Sequence, residues 1–421
     1  MIDECRKKEY RVGRRNGFTL VELLAIIVIL GVIAVIVIPK IVDTVENAKV
    51  DSVAVSAKGF SEAITKYYME NNKTSYQDMV NENYGLKMTG SYVVSNGHIT
   101  RGDDDFLIPI NGAIPTSGNL EIVSGVVVSG CLTIGKYSAI IQNSNVVDSV
   151  KGDCENAYSG DIESLPGDEK DDGYKYLDTP IVVYYDPVTG KTCSSATGGC
   201  MKWYAYSIKD GIVNLILDHN INTESMIPWI IESDYNNSTV LGSKLGVSNM
   251  GTTYSFPELG IYDRGPLTTL NYLKNATSSW MTSVLGDYKI YNANVLMSSD
   301  PEYHVNFRIN YSNYSARLLT AQEIAYIVDS DWDETTDTST IEDLPGFLYD
   351  NLGACTGETT IDDTCYGYWT SSPVPAASDG ASGVYGDGVR HGFQLTTAHG
   401  GHIGIRPVIS LYFGVIKEFV S

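Results

Sequence analysis

From Phe18 to Ile38 the chain reads FTLVELLAIIVILGVIAVIVI, 21 residues whose one charged side chain is Glu22. As a helix such a run reaches about 30 Å, the thickness of a bilayer's hydrocarbon core. A secretory signal peptide has a shorter apolar stretch with a small-residue cleavage site behind it. Here the distinctive residues lie in front. The first 17 residues carry Arg6, Lys7, Lys8, Arg11, Arg14 and Arg15 against Asp3, Glu4 and Glu9, whereas the whole chain has a net charge of −22. Basic residues before an apolar helix and acidic ones after it place the N-terminus on the cytoplasmic side. The same acidity excludes nucleic acid as a partner, since phosphate neutralisation needs clustered Lys and Arg.

The stretch Arg14-Arg15-Asn16-Gly17-Phe18-Thr19-Leu20-Val21-Glu22 resembles the processing site of type IV prepilins. That resemblance implies a prepilin peptidase that cuts after Gly17, discards residues 1–17 as a leader and methylates the new N-terminal Phe18. It implies a single-pass precursor in the cytoplasmic membrane, then an extracellular pilus assembled with other pilin subunits through the N-terminal helix. Glu22 becomes the fifth mature residue, and Pro39 falls where the family's long helix often carries a proline. A carboxylate at bilayer depth costs about 3 kcal/mol and needs a partner. The resemblance supplies one, the N-terminal amine of a neighbouring subunit, which makes Glu22 a register pin. The plainer alternative is a carboxylate snorkelling to the interface.

Pro39 removes a backbone donor and predicts a kink without an end to the helix. Beyond it, Ile41, Val45, Ala48, Val53, Phe60, Ala63, Ile64 and Tyr67 fall on one half of a helical wheel, which carries the helix to about Asn71. Residues 72–152 alternate short apolar runs with Gly, Asn and Ser, the spacing of a small antiparallel sheet laid on that helix. Eight acids between Asp153 and Asp172 against one base, Lys170, read as a solvated linker over 153–173.

Six of the seven cysteines follow the membrane segment. Pairing neighbours gives Cys131 with Cys154, Cys193 with Cys200 and Cys355 with Cys365, one of fifteen connectivities that six cysteines allow. An oxidising extracellular location suits them. Buried free thiols are the alternative, and zinc lacks a Cys-x-x-Cys spacing.

Residues 174–421 form a second domain, with helices expected over PLTTLNYLKNATSSWMTSVLG and LLTAQEIAYIV, the latter opened by Thr320 and Glu323 in capping-box spacing. The order Arg317-Leu318-Leu319-Thr320-Ala321-Gln322-Glu323, Tyr368-Trp369-Thr370-Ser371-Ser372-Pro373 and Gly404-Ile405-Arg406-Pro407-Val408 resembles the bacterial form of the C-type-lectin-like fold. That likeness implies a closed loop of strands joining the termini and an irregular region that often binds ligand, and Trp369 and Arg406, which sit in its framework motifs, read as core and strand anchors more than as ligand contacts. The triplets of calcium-dependent sugar binding are absent. The Ser-, Gly- and Pro-rich stretch after Trp369, with Tyr385 and Arg390, is the candidate ligand loop, for an extracellular glycan or protein. His391, His399 and His402, and the alternating Asp329, Asp331 and Asp333, read more simply as turn residues than as metal ligands, so no metal and no cofactor is expected. No phosphate loop, nucleophile triad or paired-carboxylate setting stands out. The sequence thus reads as α+β and non-enzymatic: a minor or tip pilin with an adhesive head. A major structural pilin, a secretion pseudopilin and a pilus-borne enzyme are the competing readings.

Overall fold

The computed structural model describes residues 20–71, 88–154, 159–222, 227–235, 245, 247–249, 265–297, 300–332, 341–342, 344–352, 367–373, 380–386, 391–397 and 402–420. It is a mixed α+β protein with a long N-terminal helix and antiparallel sheets. The chain divides into two compact units, Met1–Ser52 and Val53–Ser421.

Helix α1 (Leu20–Asn71) is 52 residues long and runs through Pro39 without a break. A single missing donor is tolerated within so long a helix. In the first unit Ile41 and Val45 are exposed, so the apolar stripe expected to begin there does not form at these two positions. In the second unit Val53, Ala57, Phe60 and Ile64 are buried, at spacings of four, three and four residues, while Lys58, Glu62 and Lys66 face solvent. That is the narrow stripe of an amphipathic helix against one partner surface.

The partner is a seven-stranded antiparallel sheet made of β1 (Gly90–Ser95), β2 (His98–Arg101), β3 (Asp104–Leu107), β4 (Ser117–Val123), β5 (Val126–Ile134), β6 (Tyr137–Gln142) and β7 (Asn145–Lys151). Its spatial order is β3-β2-β1-β4-β5-β6-β7. Asn96 and Gly97, both at positive φ, make the two-residue turn between β1 and β2, a conformation these residue types adopt most cheaply. In β1 and β4 burial alternates, with Tyr92, Val94, Leu120 and Ile122 turned to the helix. β5 and β6 do not alternate, because both of their faces are covered. Leu132, Ile134, Ala139 and Ile141 join the core with α1, whereas Cys131 and Ile140 join the core of the C-terminal part.

That C-terminal part is built on a second sheet with the order β10-β9-β11-β12-β22, β8 pairing with β9. Its strands are β8 (Gly167–Glu169), β9 (Lys175–Asp186), β10 (Lys191–Thr192), β11 (Met201–Lys209), β12 (Ile212–Leu217) and β22 (Val408–Tyr412). Between β12 and β22 the chain forms β13 (Ile227–Pro228), α3 (Glu232–Tyr235), β14 (Val247–Asn249), α4 (Leu267–Ala276), β15 (Ile290–Met297), β16 (Asp300–Asn310), α5 (Ala321–Ile327), β17 (Ile341–Glu342), β18 (Gly367–Pro373), β19 (Gly380–Gly386), β20 (His391–Thr397) and β21 (His402–Ile403). Short α2 (Ser159–Glu163) precedes β8, and α6 (Phe413–Ile416) follows β22.

Two expectations change here. Residues 153–173, read as a solvated linker, are partly built into the fold: Ile162 and Leu165 pack against the C-terminal core, and Gly167, Asp168 and Glu169 pair with Leu177, Tyr176 and Lys175. The few apolar residues among the acids suffice to anchor the stretch. The helix expected across 266–286 stops at Ala276. Thr277 Oγ1 donates to Leu273 O at 2.8 Å and Ser278 Oγ to Asn275 O at 2.8 Å, the local side-chain bonding by which Ser and Thr terminate helices.

The far face of the first sheet and the C-terminal part meet along a polar seam. Tyr412 Oη donates to Asn119 Oδ1 at 3.4 Å, and Asn143 Nδ2 donates to Tyr185 Oη at 3.2 Å and to Gly190 O at 3.1 Å. Lys289 pairs with Glu121, and Lys417 with Asp148. A disulfide joins Cys131 in β5 to Cys154, with Cα atoms 5.8 Å apart.

Candidate functional site

The N-terminal segment carries its chemistry on one helix. Leu20, Val21, Leu23, Leu24, Ile27, Val28 and Ile29 of α1 are all exposed. Fully burying seven such side chains is worth on the order of 10–20 kcal/mol, so this surface strongly favours an apolar surrounding. Among the described residues no helix is long and apolar enough to cross a membrane. Within the run expected to span, residues 18 and 19 and the side chains at 22, 26 and 30–38 lie outside those described. Gly17 and Phe18 also lie outside the described residues, and Glu22 and Pro39 are placed by their backbone on α1.

Of Trp369, Tyr385 and Arg390, the residues expected around a ligand loop, only the side chain of Trp369 is described. It is fully buried on β18, and its indole N–H donates to Ile227 O at 2.6 Å, so it is the core anchor of the framework motif and not an exposed member of the loop. An indole surrounded by core residues with its N–H satisfied is a packing anchor. The backbone of Tyr385 lies on β19 opposite Gly367 and Gly392, and Arg390 lies outside the described residues, as do Cys355, Cys365 and His399. Cys193 and Cys200 are joined as a disulfide across a short exposed loop. Asp329 pairs with Lys170, and among the described residues no group of three or more His, Cys, Asp or Glu could hold a metal.

A buried ionic cluster braces the C-terminal part. Arg317 and Glu323 are fully buried and paired twice, Nη1 to Oε2 at 2.8 Å and Nη2 to Oε1 at 2.7 Å. Tyr206 Oη donates to Glu323 Oε1 at 2.6 Å, and Thr320 N to Glu323 Oε2 at 2.9 Å. The last contact is half of the capping box that starts α5; the other half is Glu323 N donating to Thr320 Oγ1 at 3.0 Å. Burial pushes the Glu323 carboxyl up, but the Arg317 guanidinium and these donors outweigh it and hold it below its ordinary value. Arg317 also lies over the Tyr288 ring, 3.7 Å from its centroid. Through Arg317 N to Val408 O at 2.8 Å and the reverse bond at 2.9 Å, the cluster is tied to β22.

Beside it, Asp172 Oδ2 accepts from Tyr176 Oη at 2.8 Å and from Tyr288 Oη at 3.4 Å, and Oδ1 from Tyr174 N at 2.9 Å. Burial raises its carboxyl despite these donors. Arg406, a framework anchor as expected, donates to Leu217 O, to Leu348 O at 2.7 Å and to Phe347 O at 2.6 Å; burial lowers its affinity for a proton. Sequence reasoning saw Arg317, Glu323 and Arg406 as framework motifs but did not join Arg317 to Glu323. Six residues separate them, and only the β-like entry to α5 brings the guanidinium back over the first turn.

Residues 13–38 match the model of the prokaryotic N-terminal methylation motif. The chain is 33% identical over 92 residues to a type IV major pilin protein of Neisseria gonorrhoeae, covering 20% of this chain and 42% of that one. It is 32% identical over 91 residues to a fimbrial protein of Neisseria meningitidis serogroup B, covering 20% of this chain and 54% of that one. The chain thus spans about half the length of the curated relatives it matches. No solved structure matches it. The chain therefore carries a prokaryotic N-terminal methylation motif and is similar to type IV pilins.

Proposed function

We propose that this chain is a minor or tip subunit of a type IV pilus, structural rather than enzymatic, whose C-terminal part is an extracellular ligand-binding head. The observation that carries this reading is the methylation motif leading directly into α1, whose later turns carry a sheet that is covered on its far face by some 250 further residues. A filament built on closely packed helices has little room for such a head on every subunit, whereas a tip position leaves it free. The partners are a prepilin peptidase, the cytoplasmic membrane before assembly, other pilins through α1, and an extracellular glycan or protein. The C-terminal part is read as C-type-lectin-like, a reading supported by the return of the C-terminal strand β22 to the sheet of β9, β11 and β12. Cys355 and Cys365 form its further disulfide, and Tyr385 and Arg390 remain with the ligand loop.

The test is the mature N-terminus. Mass spectrometry of exported protein should find N-methylated Phe18 as the first residue, and Gly17→Leu should leave the leader attached. A mature protein that retains Cys5 would refute the assignment. Glu22→Val should be processed yet enter filaments poorly without a wild-type copy, because the neighbour's amine loses its charged partner while membrane insertion becomes cheaper. Abundance in sheared filaments separates a minor from a major subunit.

A further inference from the structure

One face of α4 and the short strand β13 border an open cleft of about 560 Å³, lined by Ile227, Pro228, Thr268, Asn271, Tyr272, Asn275 and Ala276. This volume falls in the range of small-ligand sites. The helical residues recur at three- and four-residue steps, so they form one continuous wall about 12 Å long.

The opposite wall is held rigidly. Trp369 Nε1 donates to Ile227 O at 2.6 Å, Trp229 Nε1 to Thr370 O at 2.8 Å, Thr269 Oγ1 to Pro228 O at 3.2 Å, and Ile231 N to Thr268 Oγ1 at 2.8 Å. Both tryptophans are fully buried, so the strap Ile227-Pro228-Trp229 is fixed to β18 before any ligand arrives. A pre-formed wall reduces the ordering cost of binding.

What the cleft offers selects its ligand. The carbonyls of Ile227 and Pro228 are already engaged and Pro228 has no N–H, so an extended peptide would find no ladder to join. The carboxamides of Asn271 and Asn275 are exposed, one helical turn apart, and without partners among the described residues. Each presents a donor and an acceptor together, the pattern that adjacent hydroxyls of a sugar match. Pro228, Ile227 and the Tyr272 ring supply apolar surface for a sugar's C–H face. None of the seven lining residues is charged, in a chain of net charge −22. We infer that the cleft between α4 and β13 is a subsite for a neutral sugar. The inference rests on the ligand-binding-head reading and gives that head a binding site besides the loop of Tyr385 and Arg390, with a ligand class.

The test uses the full chain in detergent micelles, titrated by ligand-observed NMR with methyl glycosides of glucose, galactose, mannose and N-acetylglucosamine, and with glucuronic and sialic acids as charged controls. At least one neutral glycoside should bind. The double variant Asn271→Ala/Asn275→Ala should weaken it tenfold or more with an unchanged melting temperature, since both side chains are exposed. Failure of every neutral glycoside to bind, equal affinity in the double variant, preference for the acids, or competition by an extended peptide would each overturn the inference. Attachment of cells separates it from the underlying reading. Attachment kept by the double variant overturns the cleft alone, and attachment unchanged by deleting the whole chain overturns the head as well.

Discussion

Replacing Glu323 with Ala strands the buried guanidinium of Arg317, which loses both of its carboxylate contacts while Tyr206 Oη and Thr320 N lose an acceptor. Removing one member of a buried pair costs about 3–5 kcal/mol, and loss of the capping box about 1 kcal/mol more. Chemical denaturation of the fragment Val53–Ser421 should register a total of about 4–6 kcal/mol, as a lower midpoint at unchanged slope. The double variant Arg317→Met/Glu323→Leu should recover at least half of that, because it removes both desolvated charges instead of one. The pH dependence has a definite sign. The Glu323 carboxyl is held below its ordinary value in the fold, so its stabilisation is complete above the unfolded value of about 4.3 and is lost as pH falls through the lower folded value. Glu323→Gln should therefore flatten the acid limb of the stability profile. A loss under about 1 kcal/mol for Glu323→Ala, or a double variant no better than the single one, would show that the cluster does not brace α5 against β22.

Three further outcomes follow from other features. Cys131→Ser/Cys154→Ser should cost about 3.5 kcal/mol in a denaturation series, from the loop entropy of a separation of 23 residues, and Cys193→Ser/Cys200→Ser about 2.5 kcal/mol for a separation of 7. Asp172, raised by burial, weakens the fold as pH rises through its folded value; Asp172→Asn, which keeps an acceptor for Tyr176, should leave stability at neutral pH equal or higher, and a marked loss would mean that the charge itself is needed.

How much was legible depended on whether a residue met one surface or two. The buried stripe of α1 from Val53 to Ile64 and the strands laid on it could be read because each of α1, β1 and β4 has a single buried face. In β5 and β6, Ser129, Thr133, Ser138 and Gln142 look like solvent-facing residues in the sequence and are buried at the seam, where inter-domain contacts are commonly polar. Asp172 was hidden among seven other acids: of the two tyrosine hydroxyls that reach it, Tyr176 is four residues away, but Tyr288 comes from 116 residues along the chain and nothing local announces it. Trp369 admitted two readings, a core anchor of the framework motif and a flank of the ligand loop, and the carbonyl of Ile227 on its N–H decides for the first.

If the C-terminal part is the ligand-binding head proposed above and is worked under tension, the link between Cys131 and Cys154 has a mechanical meaning. A pull that enters through α1 and is resisted by a ligand on the C-terminal part must cross from β5 to the residues after Cys154. With the sulfurs joined, the load passes through the covalent bond and leaves β6 and β7 outside its path. The 23-residue separation, about 80 Å when drawn out at roughly 3.5 Å per residue, is slack that the chain cannot release. Single-molecule stretching under reducing conditions should gain that length. Under oxidising conditions the two parts should stay joined, so that the tether between filament and ligand remains short and stiff while the surrounding strands give way.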